Sequence, residues 1–274
     1  QAAQHRAGKQ DQRRKPGGYI RFADLACEKQ FIRRGAVMIL SKEHFYTFCA
    51  SVEVQPTDIL LEKFDIYAAL LREWNEKINL TAITEPEEIL IKHFIDSMFL
   101  LKYVPVPQNG SLCDVGTGAG FPGAVVSVLR PDIQVTLMDS VGKKLLFVDA
   151  LIKELGLNAK TVNIRAEDAG RAGEYREQFD VVTARAVSQL NKLSEYCVPL
   201  VKVGGVFAPL KAVLSKEEAD AGFAAVKNLG ARLSGKELYT LPDQSEREII
   251  IFKKVSPTSV KFPRNAAQIA KKPL

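Results

Sequence analysis

The chain has no apolar run approaching the roughly 20 residues that cross a bilayer as a helix. Its first residues hold no apolar core of the kind a secretory signal carries. These absences argue against a helical membrane protein and against export, so the cytoplasm is the expected compartment. The four cysteines, at 27, 49, 113 and 197, are scattered and form no C-x-x-C pair. A disulfide framework and a thiolate metal site are therefore not expected, and free thiols are. The three histidines, at 5, 44 and 93, form no cluster either, so no metal is expected. Repeats and low-complexity tracts are also missing.

Acids are missing from one stretch. Residues 253–274 carry six cations (Lys253, Lys254, Lys261, Arg264, Lys271, Lys272) and no Asp or Glu. Residues 1–37 carry nine Lys/Arg against three acids, a net +6. With 38 cations and 32 acids in all, residues 38–252 are left with 23 against 29, a net −6. The body is thus not a uniformly basic nucleic-acid binder. Contact with a polyanion falls to a local patch, and Lys261, Arg264, Lys271 and Lys272 are the candidates. The alternative is a solvated tail with no partner.

Residues 1–37 are polar and irregular, with Pro16-Gly17-Gly18 and no sustained period. They read as a non-native or disordered leader, with a start at Met38. Residues 38–108 read as a helical extension. Leu60, Phe64, Tyr67, Leu71 and Trp74 recur at spacings of 4, 3, 4 and 3, one apolar helix face. Thr84-Glu85-Pro86-Glu87 has capping-box spacing and predicts a second helix to about Tyr103. From Gly110 onward strands and helices alternate. Strands are expected at 111–115, 134–138, 160–165, 179–184 and 205–210, with helices at 121–130, 141–155, 188–201 and 215–229. That alternation predicts a parallel sheet with helices on both faces. Runs 236–241 and 247–255 predict a closing antiparallel hairpin. The expected fold class is α/β, a Rossmann-like, mostly parallel seven-stranded sheet ending in an antiparallel hairpin over 109–274, the usual architecture of class I methyltransferases.

The most informative string is Leu112-Cys-Asp-Val-Gly-Thr-Gly-Ala-Gly-Phe-Pro-Gly123. An apolar strand runs into a turn with glycines at 116, 118, 120 and 123, and a helix follows. Such a turn lets backbone approach a ligand at the carboxyl end of a first strand. The glycines alone also fit a dinucleotide fingerprint. Asp114 shifts the reading, because a carboxylate there would repel a pyrophosphate and suits a cation. The ammonium and sulfonium of S-adenosylmethionine are such cations. Asp139 ends the next apolar run, where an acid grips ribose hydroxyls in either cofactor class. The plainer readings are a turn residue for Asp114 and a helix cap for Asp139.

Several strings converge along the chain: Trp74-Asn75-x-x-x-Asn79-Leu80-Thr81, Lys92-His93-Phe-Ile-Asp96-Ser97, the glycine string, Asp139-Ser140-x-x-Lys143-Lys144, Arg165-Ala166-Glu167, Thr183-Ala184-Arg185-Ala186, and Lys261-Phe-Pro263-Arg264. In this order and spacing the chain closely resembles the GidB/RsmG family of bacterial 16S rRNA guanine-N7 methyltransferases, from about residue 57 to the end. The family usually has Arg where Lys92 stands, which keeps charge but not forked geometry. The resemblance implies S-adenosylmethionine as cofactor and 16S rRNA or the small ribosomal subunit as partner; no membrane partner is expected, and a monomer is. It implies a cofactor site at Gly116, Phe121, Ala166, Glu167 and Arg185, joining Asp114, Gly118 and Asp139. Arg185, at the end of the fourth strand, is expected to face the substrate mouth. His93, with Asp96 three residues on, is a candidate general base or a structural histidine, and is taken with Arg185 as the catalytic pair. Guanine N7 carries a lone pair and no proton, so alignment matters more than a base. No Pro-Pro occurs, which removes the Asn/Asp-Pro-Pro-Tyr string of amino-methylating enzymes. A class I methyltransferase acting on a small molecule or protein, and an NAD(P)-dependent oxidoreductase, are the alternatives.

Overall fold

The computed structural model describes residues 38–274; the expected leader lies outside the described residues. Four helical segments come first: α1 (Lys42–Ser51), α2 (Asp58–Asn75), α3 (Pro86–Ile89) and α4 (Asp96–Tyr103), the last two joined by a π-helical turn, Leu90–Ile95. The sheet region holds β1 (Ser111–Val115), α5 (Gly123–Leu129), β2 (Gln134–Asp139), α6 (Gly142–Leu155), β3 (Ala159–Asn163), α7 (Ala166–Ala169), β4 (Phe179–Arg185), α8 (Leu190–Cys197), β5 (Val201–Ala212), α9 (Lys216–Asn228), β6 (Ala231–Thr240), β7 (Glu246–Lys254) and α10 (Ala266–Lys271).

The seven strands lie in the order β3-β2-β1-β4-β5-β7-β6. The first five are parallel and β7 runs antiparallel to both neighbours. β1 is flanked on both sides and covered on both faces, so its run Leu112-Cys113-Asp114-Val115 is buried throughout. The chain moves outward from β1 to β3, then returns to the other side of β1 as β4. That reversal is the topological switch point, where ligands of open α/β sheets bind beyond the carboxyl ends.

Local chemistry explains most element ends. Thr57 and Ser215 accept from the third helical amides, those of Leu60 and Glu218, and Ser41 accepts from His44. Asn265 and Gln268 form a reciprocal capping box at α10. The box expected at Thr84 does not form. Glu85 precedes the helix without a side-chain cap, and Pro86 opens it at a position needing no N–H. On α2 the buried member of the first turn is Leu61, with Leu60 only half-buried. The helix expected to run to 201 stops at Cys197 and tightens to a 3₁₀ turn at Val198–Leu200, where Pro199 lacks a donor. β5 and β6 both exceed their expected spans.

Aromatic rings fasten the helical segments to the first βα unit. Tyr67 of α2 stacks on Phe121 at 5.2 Å, and Trp74 meets Phe147 edge-on at 5.9 Å. The buried Tyr67 hydroxyl donates to the Ala119 carbonyl at 2.7 Å, which pins the glycine turn from outside the sheet. Cys49, Cys113 and Cys197 are free and buried.

Candidate functional site

A cavity of about 200 Å³ opens at the carboxyl ends of β1 and β2. Its walls include Gly116, Asp139, Ala166 and Glu167, four of the residues expected from sequence. Gly116 has φ +71°, and a Cβ there would come within 2.7 Å of Val187. A side chain would be strained and would crowd the entrance, so glycine keeps the backbone exposed to the cavity. Asp139 is buried, and both its oxygens are engaged: Oδ2 accepts from the Gly118 amide at 2.9 Å and Oδ1 from Val141 at 2.8 Å. Gly118 does not line the cavity but bonds the Asp139 side chain that does. A carboxylate holds about four acceptor positions, so two remain for hydroxyls. Glu167 is buried at the cavity edge with the Arg165 guanidinium 4.0 Å away.

The other expected residues lie behind this wall. Asp114 is fully buried. Its Oδ2 accepts from Thr117 Oγ1 at 2.7 Å and from the Gly123 amide at 2.8 Å, tying strand to helix N-terminus. A Cβ on Gly123 would meet Asp114 Cβ at 2.7 Å and Leu137 at 2.5 Å, so that approach requires glycine. Asp114 Oδ1 has no partner among the described residues. Burial pushes its carboxyl up to about 6, against the hydrogen bonds from Thr117 and Gly123.

Phe121 does not border the cavity. Its ring stacks with His93 at 4.4 Å and carries the Arg185 guanidinium at 5.0 Å. Nor does Arg185 face a mouth. It is 14% exposed and turned into the helical segments, where it bonds Asp96 Oδ2 at 2.8 Å and the Lys92 carbonyl at 3.1 Å. The carbonyl it reaches belongs to the π turn Leu90–Ile95. Arg185 also donates to His93 Nδ1 at 3.2 Å. An arginine has only donors, so Nδ1 is the acceptor and Nε2–H points to Thr81 Oγ1 at 2.9 Å. Burial, reinforced by the Arg185 charge, holds His93 down to about 3. His93 is thus neutral, with its lone pair already in use. It pairs with Arg185 and not with Asp96, whose other oxygen accepts from Tyr239 at 2.9 Å.

Sequence reasoning missed Val187, Tyr196 and Ala266 on the cavity wall. Ser140 was visible as the neighbour of Asp139. Ala266, in the C-terminal helix, carries no sequence signal for a place beside Gly116.

The C-terminal segment folds back over α8. Arg264 Nε and Nη2 grip the fully buried Glu195 at 2.8 and 2.6 Å. Arg264, expected from charge to be free for a phosphate, instead has Nε and Nη2 engaged in this internal fork. Lys254 is buried too, bonded to Glu177 and to the Val198 and Val201 carbonyls.

The strand order, the antiparallel β7 and a cavity fronted by Gly116 and Asp139 define a class I S-adenosylmethionine-dependent methyltransferase. The family described as "GidB: rRNA small subunit methyltransferase G" matches residues 60–242. A ribosomal RNA small subunit methyltransferase G from Desulfitobacterium hafniense is 49% identical over 216 residues, 78% of this chain and 89% of that one. Its counterparts from Clostridium perfringens and Exiguobacterium sibiricum are 44% and 43% identical, over 82% and 86% of this chain and 95% and 100% of theirs. The chain belongs to the GidB/RsmG family.

Proposed function

We infer that this protein transfers a methyl group from S-adenosylmethionine to N7 of a guanine in 16S rRNA, on the rRNA itself or within the small subunit, as a cytoplasmic monomer. No helix among the described residues is long and apolar enough to cross a membrane. The observation that carries the reading is the cavity at the switch point, fronted by a glycine that bares its backbone and by a carboxylate with acceptor positions to spare. Both fit the cofactor: Gly116 would lie against its methionine portion, Asp139 would accept from ribose hydroxyls, and Ala166 with Glu167 would meet the adenine edge. Asp114 lies behind that wall with its Oδ1 unpartnered among the described residues, and when ionised it would attract the cofactor's cation through space rather than by contact. When bound, the cofactor supplies an electrophilic methyl group on a sulfonium.

The chain's own residues would align rather than deprotonate. N7 offers a lone pair, so no base is needed, and His93 has none to give. Its role in this reading is to set Arg185, together with Asp96 and Phe121. Alignment of this kind supplies several kcal/mol, up to roughly 7–11 in ideal cases. The test is transfer of labelled methyl to small subunits or 16S rRNA from cells lacking the enzyme, with the modified base mapped. Label on a protein, on a small molecule or on another ring position would reject the reading. Sedimentation of the purified protein reads the monomer.

A further inference from the structure

We propose that the folded C-terminal segment is a cationic rim that holds rRNA phosphates beside the cofactor cavity, through Lys261, Lys271 and Lys272. The proposal rests on the function inferred above and adds where the RNA is held.

Three observations converge. The segment is built into the fold. Arg176 Nη1 donates to the Phe262 carbonyl at 2.8 Å and Nη2 to that of Thr258 at 2.6 Å, while Arg171 Nε donates to Pro263 at 3.0 Å. With the Arg264–Glu195 fork, the buried Ile269, the Lys272 N–H bond to the Gln268 carbonyl at 3.0 Å and the Asn191 bond to the Leu274 carbonyl at 3.3 Å, these bonds fix residues 258–274. Three lysines are then left over. Lys261, Lys271 and Lys272 are exposed, and among the described residues none of them forms an ion pair. Lys271 and Lys272 border a surface groove with Gln268 and Arg264. Finally, α10 ties this charge to the site: Ala266 at its start lines the cavity that Gly116 and Asp139 front, and Lys271 stands at its other end, about 8 Å along the helix axis.

The rest of the body explains why such a rim is needed. Residues 38–252 are net −6 and should repel a polyanion at long range. Three unpaired lysines on a rigid segment lose little entropy on meeting phosphates, because their backbone is already fixed. The internal fork of Arg264 gives the anchoring, and the lysines meet the RNA.

The experiment compares the parent with a Lys261→Gln, Lys271→Gln, Lys272→Gln triple variant and with the matching Lys→Arg triple. Binding to 16S rRNA and to small subunits from cells lacking the modification is measured across a salt series. The salt slope of log K should fall by roughly 0.7–0.9 for each phosphate no longer neutralised, about 2 units for all three. KM for subunits should rise, and the Arg triple should keep the parent slope. Cofactor affinity should not move, since none of the three residues lines the cavity, and Tm should fall by no more than the loss of the Lys261 ammonium over the Phe262 ring, at 5.1 Å, which the Arg triple retains. Unchanged RNA affinity and slope in the Gln triple would overturn the proposal. Weaker binding to subunits with none on 16S rRNA would assign the face to a ribosomal protein and overturn it too. Failure of the parent to methylate rRNA would instead sink the functional reading, while the binding series would still be read by itself.

Discussion

Asp139 and Asp114 close neighbouring parallel strands, yet one fronts a cavity and the other is sealed behind it. The cavity side, with Gly116, Asp139, Ala166 and Glu167, offers backbone and spare acceptors to a ligand. The sealed side, with Asp114, Phe121, His93 and Arg185, spends nearly every polar atom on its neighbours. A motif read from sequence therefore mixes two kinds of residue. Some border the cavity, and others spend their polar atoms on one another behind it. Substitutions should separate the sides, since the sealed side should lose stability and the cavity side should lose affinity.

The largest effect is expected on the sealed side. Arg185→Ala would leave Asp96 buried with only Tyr239 as donor, and breaking a buried pair from one side costs about 3–5 kcal/mol. A melting curve within a degree of the parent would erase the distinction between the sides.

Asp114 sharpens the comparison through pH. Its carboxyl is raised from 3.8 to about 6 by burial. Between those values the folded state holds a proton that the unfolded state has released, so stability falls as pH rises from about 4 to 6. Asp114→Asn, which cannot ionise, should flatten that part of a denaturation series, by about 2–3 kcal/mol across the window. In the parent, affinity for S-adenosylmethionine should rise as pH passes about 6, because the ionised form attracts a cation. Calorimetry at pH 5 and 7 giving equal affinities would remove Asp114 from cofactor binding and leave it a turn residue.

On the cavity side, Asp139→Ala should weaken S-adenosylmethionine by about 1.5–3 kcal/mol, the scale of hydrogen bonds to a charged group. Unchanged affinity in a folded variant would refute the ribose role. The smallest effect concerns His93. With its pKa near 3, it stays neutral between pH 5 and 8, so the methyl-transfer rate should show no histidine limb there. A limb near pH 6.5 that disappears in His93→Gln would restore it as a general base.

Elements with a strong period were legible before folding. The alternation after Gly110 marked the five parallel strands, two later runs marked the closing hairpin, and the glycine string marked the end of β1. Boundaries were less legible where tertiary pairing extends a strand. β6 begins at Ala231 because it pairs with the whole of β7, down to Lys254. The Thr84 box was misread because Pro86 opens that helix without it.

The sequence by itself determined the class of sheet, the glycine turn and the two acids at strand ends, because these depend on periodicity and on backbone freedom at fixed spacing. Only the tertiary structure decided which residues meet the cavity and which charges remain free. Arg264 and Lys271 are alike in charge, but one faces the buried Glu195 and the other faces solvent. Partners some 70 residues apart or more set those fates, as with Arg264 and Glu195 or Arg185 and His93. No local pattern encodes such pairings, since the energy of a charge depends on what surrounds it in space.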